Sequence, residues 1–320
     1  MCYYLKHEHM RTKIIFSALY ILFFTGQTVF SQCKIPTDLQ NEGLLGKVKS
    51  MTTKSYQSNE PNKTPTVSET FLYDSGKKTF NKSGYYLENI RYDKSGVVSK
   101  HEKYDYDANG HLVKIIGIDK QGVEHIIKTF QIDNTGKRIG RNDYYWNGKI
   151  SDSTSLKWDS KGNLIWIIDA NPEKKTVEKI EKRWYDDKDN IIERSYEMQY
   201  DGFLEKYSTR KYKYNQDGNM IEQVEYNRDS IAKYWYTWVY SNKYDFVENY
   251  YYSEDGKKPA KPVSTTRYDY DDKGNILEES GQDGVKKSIY VYDSYGNWTK
   301  KTFLENNKTT YIEVRSFEYY

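Results

Sequence analysis

The sequence has almost no cysteine and little proline. Only two of its 320 residues are cysteine, Cys2 and Cys33, and six are proline. Processing at the site discussed below removes Cys2, which leaves one cysteine and no intramolecular disulfide. The fold must therefore be held together by packing and hydrogen bonds alone. Pro259 and Pro262 indicate an irregular loop, because proline cannot donate to a β-ladder.

The sequence also lacks an excess of charge of either sign. It holds 49 Lys and Arg against 46 Asp and Glu, a formal net charge of +3. A nucleic-acid-binding protein needs a clustered basic face, so we expect no nucleic-acid partner. The mean hydropathy of −0.96 would suggest disorder in a chain poor in aromatic residues. Here 34 tyrosines favour a folded sheet, since each ring buries apolar area and keeps its hydroxyl in water.

Residue sets that carry catalysis are absent as well. Beyond the N-terminal segment the only histidines are His101, His111 and His125, too few and too scattered for a metal triad or a Ser-His-Asp set. Asp105–Gly110 matches the first half of a calcium loop, but Ile116 stands where a bidentate Glu is needed. No glycine-rich phosphate loop precedes a helix. We expect no enzyme activity, no cofactor and no metal.

The N-terminal segment predicts export. Arg11 and Lys13 precede an apolar run over residues 14–24, and the small residues at positions 29 and 31 fit a cleavage site between Ser31 and Gln32. Met10 is the more natural start of such a segment. The run is too short to span a membrane comfortably. We expect a secreted protein, or one in the periplasm or on the outer cell surface, with lipidation at Cys33 as a minor alternative.

One short phrase recurs along the chain. It consists of two aromatic residues separated by one residue, then Asp or Asn, any two residues, Gly, a polar residue and an apolar residue. It occurs at Tyr104–Leu112, Leu156–Leu164, Tyr212–Met220, Tyr268–Ile276 and Tyr290–Trp298. From Gly84 to Gly162 the glycines at predicted turns (positions 84, 96, 110, 122, 136, 148 and 162) are spaced alternately by 12 and 14 residues, which indicates a repeat architecture.

Each phrase predicts a strand, a tight turn and another strand. The acidic residue accepts a backbone N–H, and the glycine closes the turn with positive φ. The aromatic residue before the turn pairs with the apolar residue six positions later, as Tyr106 does with Leu112. We expect positive φ and hairpin ends at Gly110, Gly162, Gly218, Gly274 and Gly296.

Together the phrases predict an all-β fold, a long antiparallel meander of about twenty strands with no substantial helix. Sheets beyond about ten strands curl or split, so the expected architecture is a superhelical or partly closed β-shell. One inward-facing aromatic stripe is expected inside it, formed by Tyr106, Trp158, Tyr214, Tyr270 and Tyr292. The expected organisation is a signal peptide at 1–31, N-terminal strands and a polar loop at 32–70, and a repeat domain at 71–320. Within 32–70, Leu44–Gln57 should form an opening strand pair, followed by the polar loop Ser58–Thr66.

The repeated phrase resembles the YD repeat of RHS-type proteins, carried here by Tyr104, Tyr106, Asp107, Gly110 and Leu112 and the equivalent sets. The similarity covers 71–320. It implies a surface or extracellular protein whose repeats form a wound β-sheet, in some members with carbohydrate-binding descriptions. The chain has no RHS core motif, so toxin delivery is not implied. Tyr145–Lys149 is similar to one MORN-like repeat, a weaker match.

Aromatic residues are densest at 234–240 and 250–252. Exposed aromatic patches usually bind something, so one interpretation is a platform for sugar rings formed by Trp235, Trp238, Tyr250 and Tyr252. The favoured interpretation is a central strand buried on both faces.

The leading functional hypothesis is a secreted, non-catalytic β-repeat scaffold or binding module at the cell surface, with a carbohydrate or a surface protein as partner. One alternative is a secreted carbohydrate-active enzyme, which would need two carboxylates about 5–10 Å apart across an aromatic cleft. Another is an immunity or partner protein of a toxin system.

Overall fold

The protein is described by a computed structural model that covers residues 37–57, 75–200, 202–241 and 246–320. The predicted cleavage site at Ser31 and Gln32, Cys33 and the loop Ser58–Thr66 lie outside these residues. The described ranges form one four-residue helix and twenty strands. Their bounds are α1 Asp38–Asn41, β1 Val48–Gln57, β2 Gly76–Phe80, β3 Tyr86–Tyr92, β4 Val98–Tyr106, β5 Leu112–Ile118, β6 Glu124–Ile132, β7 Arg138–Tyr144, β8 Ile150–Trp158, β9 Leu164–Asn171, β10 Thr176–Tyr185, β11 Ile191–Tyr200, β12 Phe203–Tyr214, β13 Met220–Asn227, β14 Ala232–Tyr240, β15 Phe246–Tyr252, β16 Ser264–Tyr270, β17 Ile276–Gly281, β18 Gly284–Tyr292, β19 Trp298–Glu305 and β20 Lys308–Tyr319.

The strands form one antiparallel meander, which confirms the predicted all-β class. The aromatic–apolar pairs inferred from the repeated phrase are opposed in the ladders. They are Tyr106 with Leu112, Trp158 with Leu164, Tyr185 with Ile191, Tyr214 with Met220, Tyr240 with Phe246 and Tyr292 with Trp298. A one-residue register shift precedes most of these pairs, at Asp105/Tyr106 for example. Each such hairpin therefore ends in a β-bulge, which increases its local twist.

The predicted superhelical or partly closed shell is wrong. The first strand of the meander, β1, pairs with β2 and also with the last strand, β20, so a ladder of hydrogen bonds joins the two ends of the meander. The β1–β20 ladder runs from Val48 opposite Tyr319 to Gln57 opposite Tyr311. An open sheet of this length would leave two unpaired edges, which are prone to aggregation, and closure removes them. The expected strand pair at Leu44–Gln57 is instead the single strand β1.

The repeated turns owe their shape to one acidic side chain each. In the turn after β4, Oδ1 of Asp107 accepts the backbone N–H groups of Asn109 at 2.9 Å and His111 at 2.8 Å. The amide of Gly110 donates to the carbonyl of Asp107 at 3.0 Å. The turn glycines have φ of +82° at Gly110, +90° at Gly162, +79° at Gly218, +79° at Gly274 and +90° at Gly296. Most residues with a Cβ avoid this region of φ, which explains the glycine.

The turn carboxylates make stability depend on pH. The hydroxyl of Thr135 and the backbone N–H groups of Lys137 and Thr135 hold the pKa of Asp133 below its ordinary value of 3.8. A carboxylate whose pKa is lowered by folding stabilises the folded state when the pH is above the ordinary pKa of the group. That stabilisation is lost as the pH falls through the lowered pKa of the folded state. We expect the urea midpoint to hold between about pH 7 and 5 and to fall below about pH 4.

Asparagine provides the control for this acid sensitivity. Asn215 occupies the same turn position, and its side-chain oxygen accepts the amide of Asn219 at 2.9 Å. Asp133→Asn should therefore keep the turn at pH 7 and reduce the loss of stability in acid. A variant whose urea midpoint falls with pH as steeply as that of the unmodified chain would contradict the role given to this carboxylate.

The aromatic residues before the turns do more than pack. Tyr185, Tyr214 and Tyr240 donate their hydroxyls to the carbonyls of Leu164, Ile191 and Met220, at 2.6, 2.9 and 2.8 Å. Each bond links one turn region to the preceding one on the same side of the sheet, and Trp158 Nε1 does the same to the carbonyl of Arg138 at 2.8 Å. The five residues of the predicted stripe, Tyr106, Trp158, Tyr214, Tyr270 and Tyr292, are all half-buried.

The chain divides into two compact units. Of the described residues, the first comprises 37–57, 75–101, 241 and 268–320, and the second comprises 102–200, 202–240 and 246–267. In the first unit, Leu39 and Leu44 pack with Val48, Met51 and Phe80 in a buried cluster. A capping box between Thr37 and Gln40 starts α1.

A partly buried ion pair links the N-terminal segment of the first unit to its strands. Glu42 accepts hydrogen bonds from Lys78, at 2.6 Å, and from the hydroxyl of Tyr86. Burial acts to raise the pKa of Glu42, but the ammonium of Lys78 and these two hydrogen bonds outweigh it and lower the pKa. The carboxylate therefore stays charged while it links α1 to β2 and β3.

Candidate functional site

The candidate site lies in the second unit, on strands β10–β15. Residues opposite each other in an antiparallel ladder project from the same face. Tyr234 is opposite Tyr252, Tyr236 is opposite Tyr250, and Trp238 is opposite Glu248. These five aromatic side chains therefore share one face, and we call them the aromatic ladder. They are Tyr234, Tyr236, Trp238, Tyr250 and Tyr252.

The rings of the aromatic ladder are in mutual contact. Centroids are 5.5 Å apart for Tyr234 and Tyr252, 5.2 Å for Tyr236 and Tyr250, and 6.2 Å for Tyr236 and Trp238. Trp238 is buried and donates Nε1 to Glu248 at 2.7 Å. Tyr252 is 41% exposed, so the ladder runs from a buried end to an accessible one.

The structure divides the four predicted platform residues. Trp238, Tyr250 and Tyr252 belong to the aromatic ladder. Trp235 projects from the opposite face, where it is buried with Val224 and Ala232. The contacts of Trp235 are those of a strand buried on that face. The accessible end of the aromatic ladder, at Tyr252, is not buried in this way.

Three arginines continue the same face on the neighbouring strands. Arg183 on β10 is opposite Arg194 on β11, which is opposite Arg210 on β12. Arg210 is opposite Glu225, and Glu225 is opposite Tyr234 of the aromatic ladder. We call Arg183, Arg194 and Arg210 the arginine row, and the side of β10–β15 that carries it the arginine face.

Two carboxylates serve these three arginines. Glu181 lies 2.7 Å from Nε of Arg183 and 3.9 Å from Nε of Arg194. Glu225 lies 2.9 Å from Nε of Arg210. A third carboxylate on this face, Glu248, lies beside Trp238 and accepts its Nε1–H, so Glu181 and Glu225 are the carboxylates in contact with the row. Burial raises the pKa of the neighbouring Tyr212 to about 12, so its phenol is neutral and adds no charge.

Two donors in the arginine row have no hydrogen-bond partner. They are Nη1 of Arg183 and Nε of Arg194. The side chain of Arg183 is only 5% exposed. A buried donor without a partner carries its full desolvation cost. Among the other described residues, Nε of Arg141 and Nε of Arg315 also have no hydrogen-bond partner, so what distinguishes the row is the alignment of its three arginines. Sequence analysis missed the row, although each of its members is visible in the repeated strands.

Outside the buried cluster of Trp235, Val224 and Ala232, the opposite face of the same strands carries surface ion pairs. Lys213 lies 2.6 Å from Glu222, and Lys211 lies 3.6 Å from Glu193. Val239, which alternates with Trp238, is 61% exposed. The two faces of β10–β15 therefore differ: one holds ordinary surface ion pairs, the other an incompletely paired arginine row beside stacked rings.

Other candidate groups have local partners. His101 bonds to Glu88, His111 to Asp107 and His125 to Asp119, at 2.6, 2.9 and 2.9 Å. Among the described residues no group of three or more His, Cys, Asp or Glu side chains could hold a metal ion. No helix formed by the described part of the chain is long and apolar enough to cross a membrane.

Comparison with known proteins gives distant structural similarities. No protein-family model matches the chain, and no curated protein is similar in sequence. A porin-like protein from Bacteroides uniformis is 10% identical with a TM-score of 0.37, over 88% of this chain and 98% of the other. A porin-like protein from Bacteroides vulgatus is 14% identical with a TM-score of 0.29, over 85% and 98%. The Photorhabdus luminescens Tc holotoxin pore is 12% identical with a TM-score of 0.20, over 75% of this chain and 19% of the other. These similarities are too distant to assign a family.

Proposed function

We propose that this chain is a secreted, non-catalytic binding module that binds carbohydrate on the arginine face of β10–β15. The observation that carries the proposal is the aromatic ladder. Sugar rings present apolar C–H faces that pack against aromatic rings, while polar groups beside them fix the orientation. The ladder supplies five rings, and Gln223 and Glu225, opposite Tyr236 and Tyr234, supply the polar groups.

The gradient of exposure supports a ligand role for the ladder. A purely structural stack would be covered along its length, as Trp235 is on the opposite face. Tyr252 is instead 41% exposed, and Tyr234 and Tyr250 are half-buried. A ligand could therefore reach these rings without unfolding a strand.

The ion pairs of the opposite face support a water-exposed environment for these strands. A lipid-facing band of strands excludes charged side chains, at a cost of about 2–4 kcal/mol for a lysine or arginine near the bilayer centre. Lys211 and Lys213 with their glutamates would each carry such a cost. This charge pattern and the export predicted from the N-terminal sequence together favour a module at the cell surface or in the extracellular space.

Binding to a glycan array, followed by calorimetry with the best ligand, tests the proposal. Tyr236→Ala and Tyr250→Ala should weaken binding by about tenfold or more, because each removes a stacked ring at the centre of the ladder. Tyr145→Ala is the matched control, since Tyr145 is 54% exposed and outside the ladder. It should bind like the unmodified chain.

Three outcomes would overturn this proposal. If no glycan binds, or if Tyr145→Ala weakens binding as much as Tyr236→Ala does, the ladder is not a carbohydrate site. If the bound glycan is cleaved, the alternative of a carbohydrate-active enzyme replaces the non-catalytic one.

A further inference from the structure

We infer that the carbohydrate is acidic, and that its carboxylate or sulfate groups bind the arginine row while its sugar rings pack on the aromatic ladder. This inference rests on the proposed function and names its ligand class. The chemistry shared by carboxylate and sulfate is an anion that accepts two parallel N–H bonds from a guanidinium.

The first support is the alignment of like charges. Arg183, Arg194 and Arg210 are opposite one another on three consecutive strands. Like charges directly opposite in a sheet are destabilising. Departures from local stability rules occur mainly at functional sites. An anion bound between Arg194 and Arg210 would remove the repulsion.

The second support is the pair of unused donors. Nη1 of Arg183 and Nε of Arg194 have no partner, and the side chain of Arg183 is more than nine-tenths buried. Glu181 cannot serve both arginines equally, because it is 3.9 Å from Arg194. An added anion would satisfy donors that the chain itself leaves unpaired.

The third support is access. Side-chain exposure rises along the row from 5% at Arg183 to 17% at Arg194 and 39% at Arg210. The most accessible arginine is therefore the one closest to the aromatic ladder. A ligand entering over Tyr252 and Tyr234 would meet Arg210 first.

The fourth support is spacing. Arg210, Glu225, Tyr234 and Tyr252 occupy one cross-strand row on four neighbouring strands. Adjacent strands are about 4.8 Å apart, so Arg210 and Tyr252 are separated by about 14 Å. An oligosaccharide of several rings covers that distance. Glu225 within the row would accept hydroxyl donors from the sugar.

Calorimetric titration with three hexasaccharides tests the inference: an oligomer of galacturonic acid, a sulfated oligomer and neutral cellohexaose. We expect at least one acidic oligomer to bind about tenfold or more tightly than the neutral one, with affinity that falls as sodium chloride rises from about 0.05 to 0.5 M. Comparison of the two acidic oligomers shows whether the site prefers carboxylate or sulfate. The salt dependence is measured on the unmodified chain.

Arg210→Met then assigns the contact. It keeps the aliphatic stem but loses the guanidinium, so it should weaken binding of the acidic oligomer by about tenfold or more and leave cellohexaose binding unchanged. Arg210→Lys keeps the charge without the bidentate fork and should fall between the two. Arg228→Met is the control, because Arg228 is 69% exposed outside the site. Circular dichroism checks that each variant is folded.

The failures are distinguishable. If the neutral oligomer binds as tightly as both acidic ones, and Tyr236→Ala still abolishes binding, the acidic-ligand inference is wrong and the carbohydrate function stands. If acidic oligomers bind but Arg210→Met and Arg228→Met behave alike, the arginine row is not the contact and the inference is again overturned. If no oligomer binds, both proposals are overturned.

Discussion

Replacing Phe80 with alanine should lower the free energy of unfolding by about 3–5 kcal/mol. Phe80 is fully buried at the end of β2, in the cluster with Leu39, Val48 and Met51. Its ring stacks on Tyr86 with centroids 5.1 Å apart. The cluster includes Val48 and Met51 of β1, which pairs with both β2 and β20. A cavity here therefore weakens the strand that closes the sheet.

Urea unfolding followed by tryptophan fluorescence measures this effect. Phe203→Ala is the matched control, because Phe203 is 74% exposed at the start of β12 and should change stability by about 0.5 kcal/mol or less. Similar losses for both variants would contradict the view that the cluster around Phe80 stabilises the closing strand.

The meander could be predicted because its information is local. A turn such as Asp107–His111 is specified by residues within five positions of one another, an acceptor at one end and a glycine near the other. The Tyr106–Leu112 pair follows from the same few residues. Repetition of one phrase then fixes strand after strand without any long-range information.

The closure could not be predicted because its information is not local. Val48 is opposite Tyr319 and Gln57 is opposite Tyr311, more than 250 residues apart, and no turn phrase links them. The alternation of apolar and polar residues along β1 indicates a strand but does not predict which strand pairs with it. A wound sheet and a closed one have the same local turns, so the phrase alone cannot distinguish them.

The arginine row depends on two register shifts that sequence reasoning did not resolve, one in the β10–β11 ladder and one between Tyr196 and Glu197 in the β11–β12 ladder. Counting outward from the predicted Tyr185–Ile191 pair in an unbroken ladder would place Arg183 opposite Glu193, an ordinary ion pair. The bulge between Trp184 and Tyr185 moves Arg183 opposite Arg194 instead. A shift of one residue changes which side chains share a face. The phrase predicts the bulge in the β10–β11 ladder, but the bulge in the β11–β12 ladder lies outside any repeated phrase, so the phrase alone could not have placed Arg210 opposite Arg194.

Replacing Glu181 with glutamine should lower the free energy of unfolding by about 3 kcal/mol or more. Glu181 and Arg183 are buried, with side-chain exposures of 9% and 5% and an oxygen–nitrogen distance of 2.7 Å. Glutamine keeps the shape but removes the charge, so the arginine row would hold three cations against Glu225 alone. Glu193→Gln is the matched control, because Glu193 is 33% exposed and 3.6 Å from Lys211 on the opposite face.

The control variant should lose about 1 kcal/mol or less, since exposed ion pairs contribute little. Equal losses in Glu181→Gln and Glu193→Gln would show that the arginine row is hydrated like a surface. The double variant Glu181→Met with Arg183→Met separates charge from packing. Replacing a buried pair by apolar residues of similar volume is often neutral or stabilising, so the double variant should recover most of the stability lost by Glu181→Gln. If the double variant recovers this stability, the charged groups of the arginine row destabilise the fold. Such a destabilising cluster is expected of a site that binds an anion.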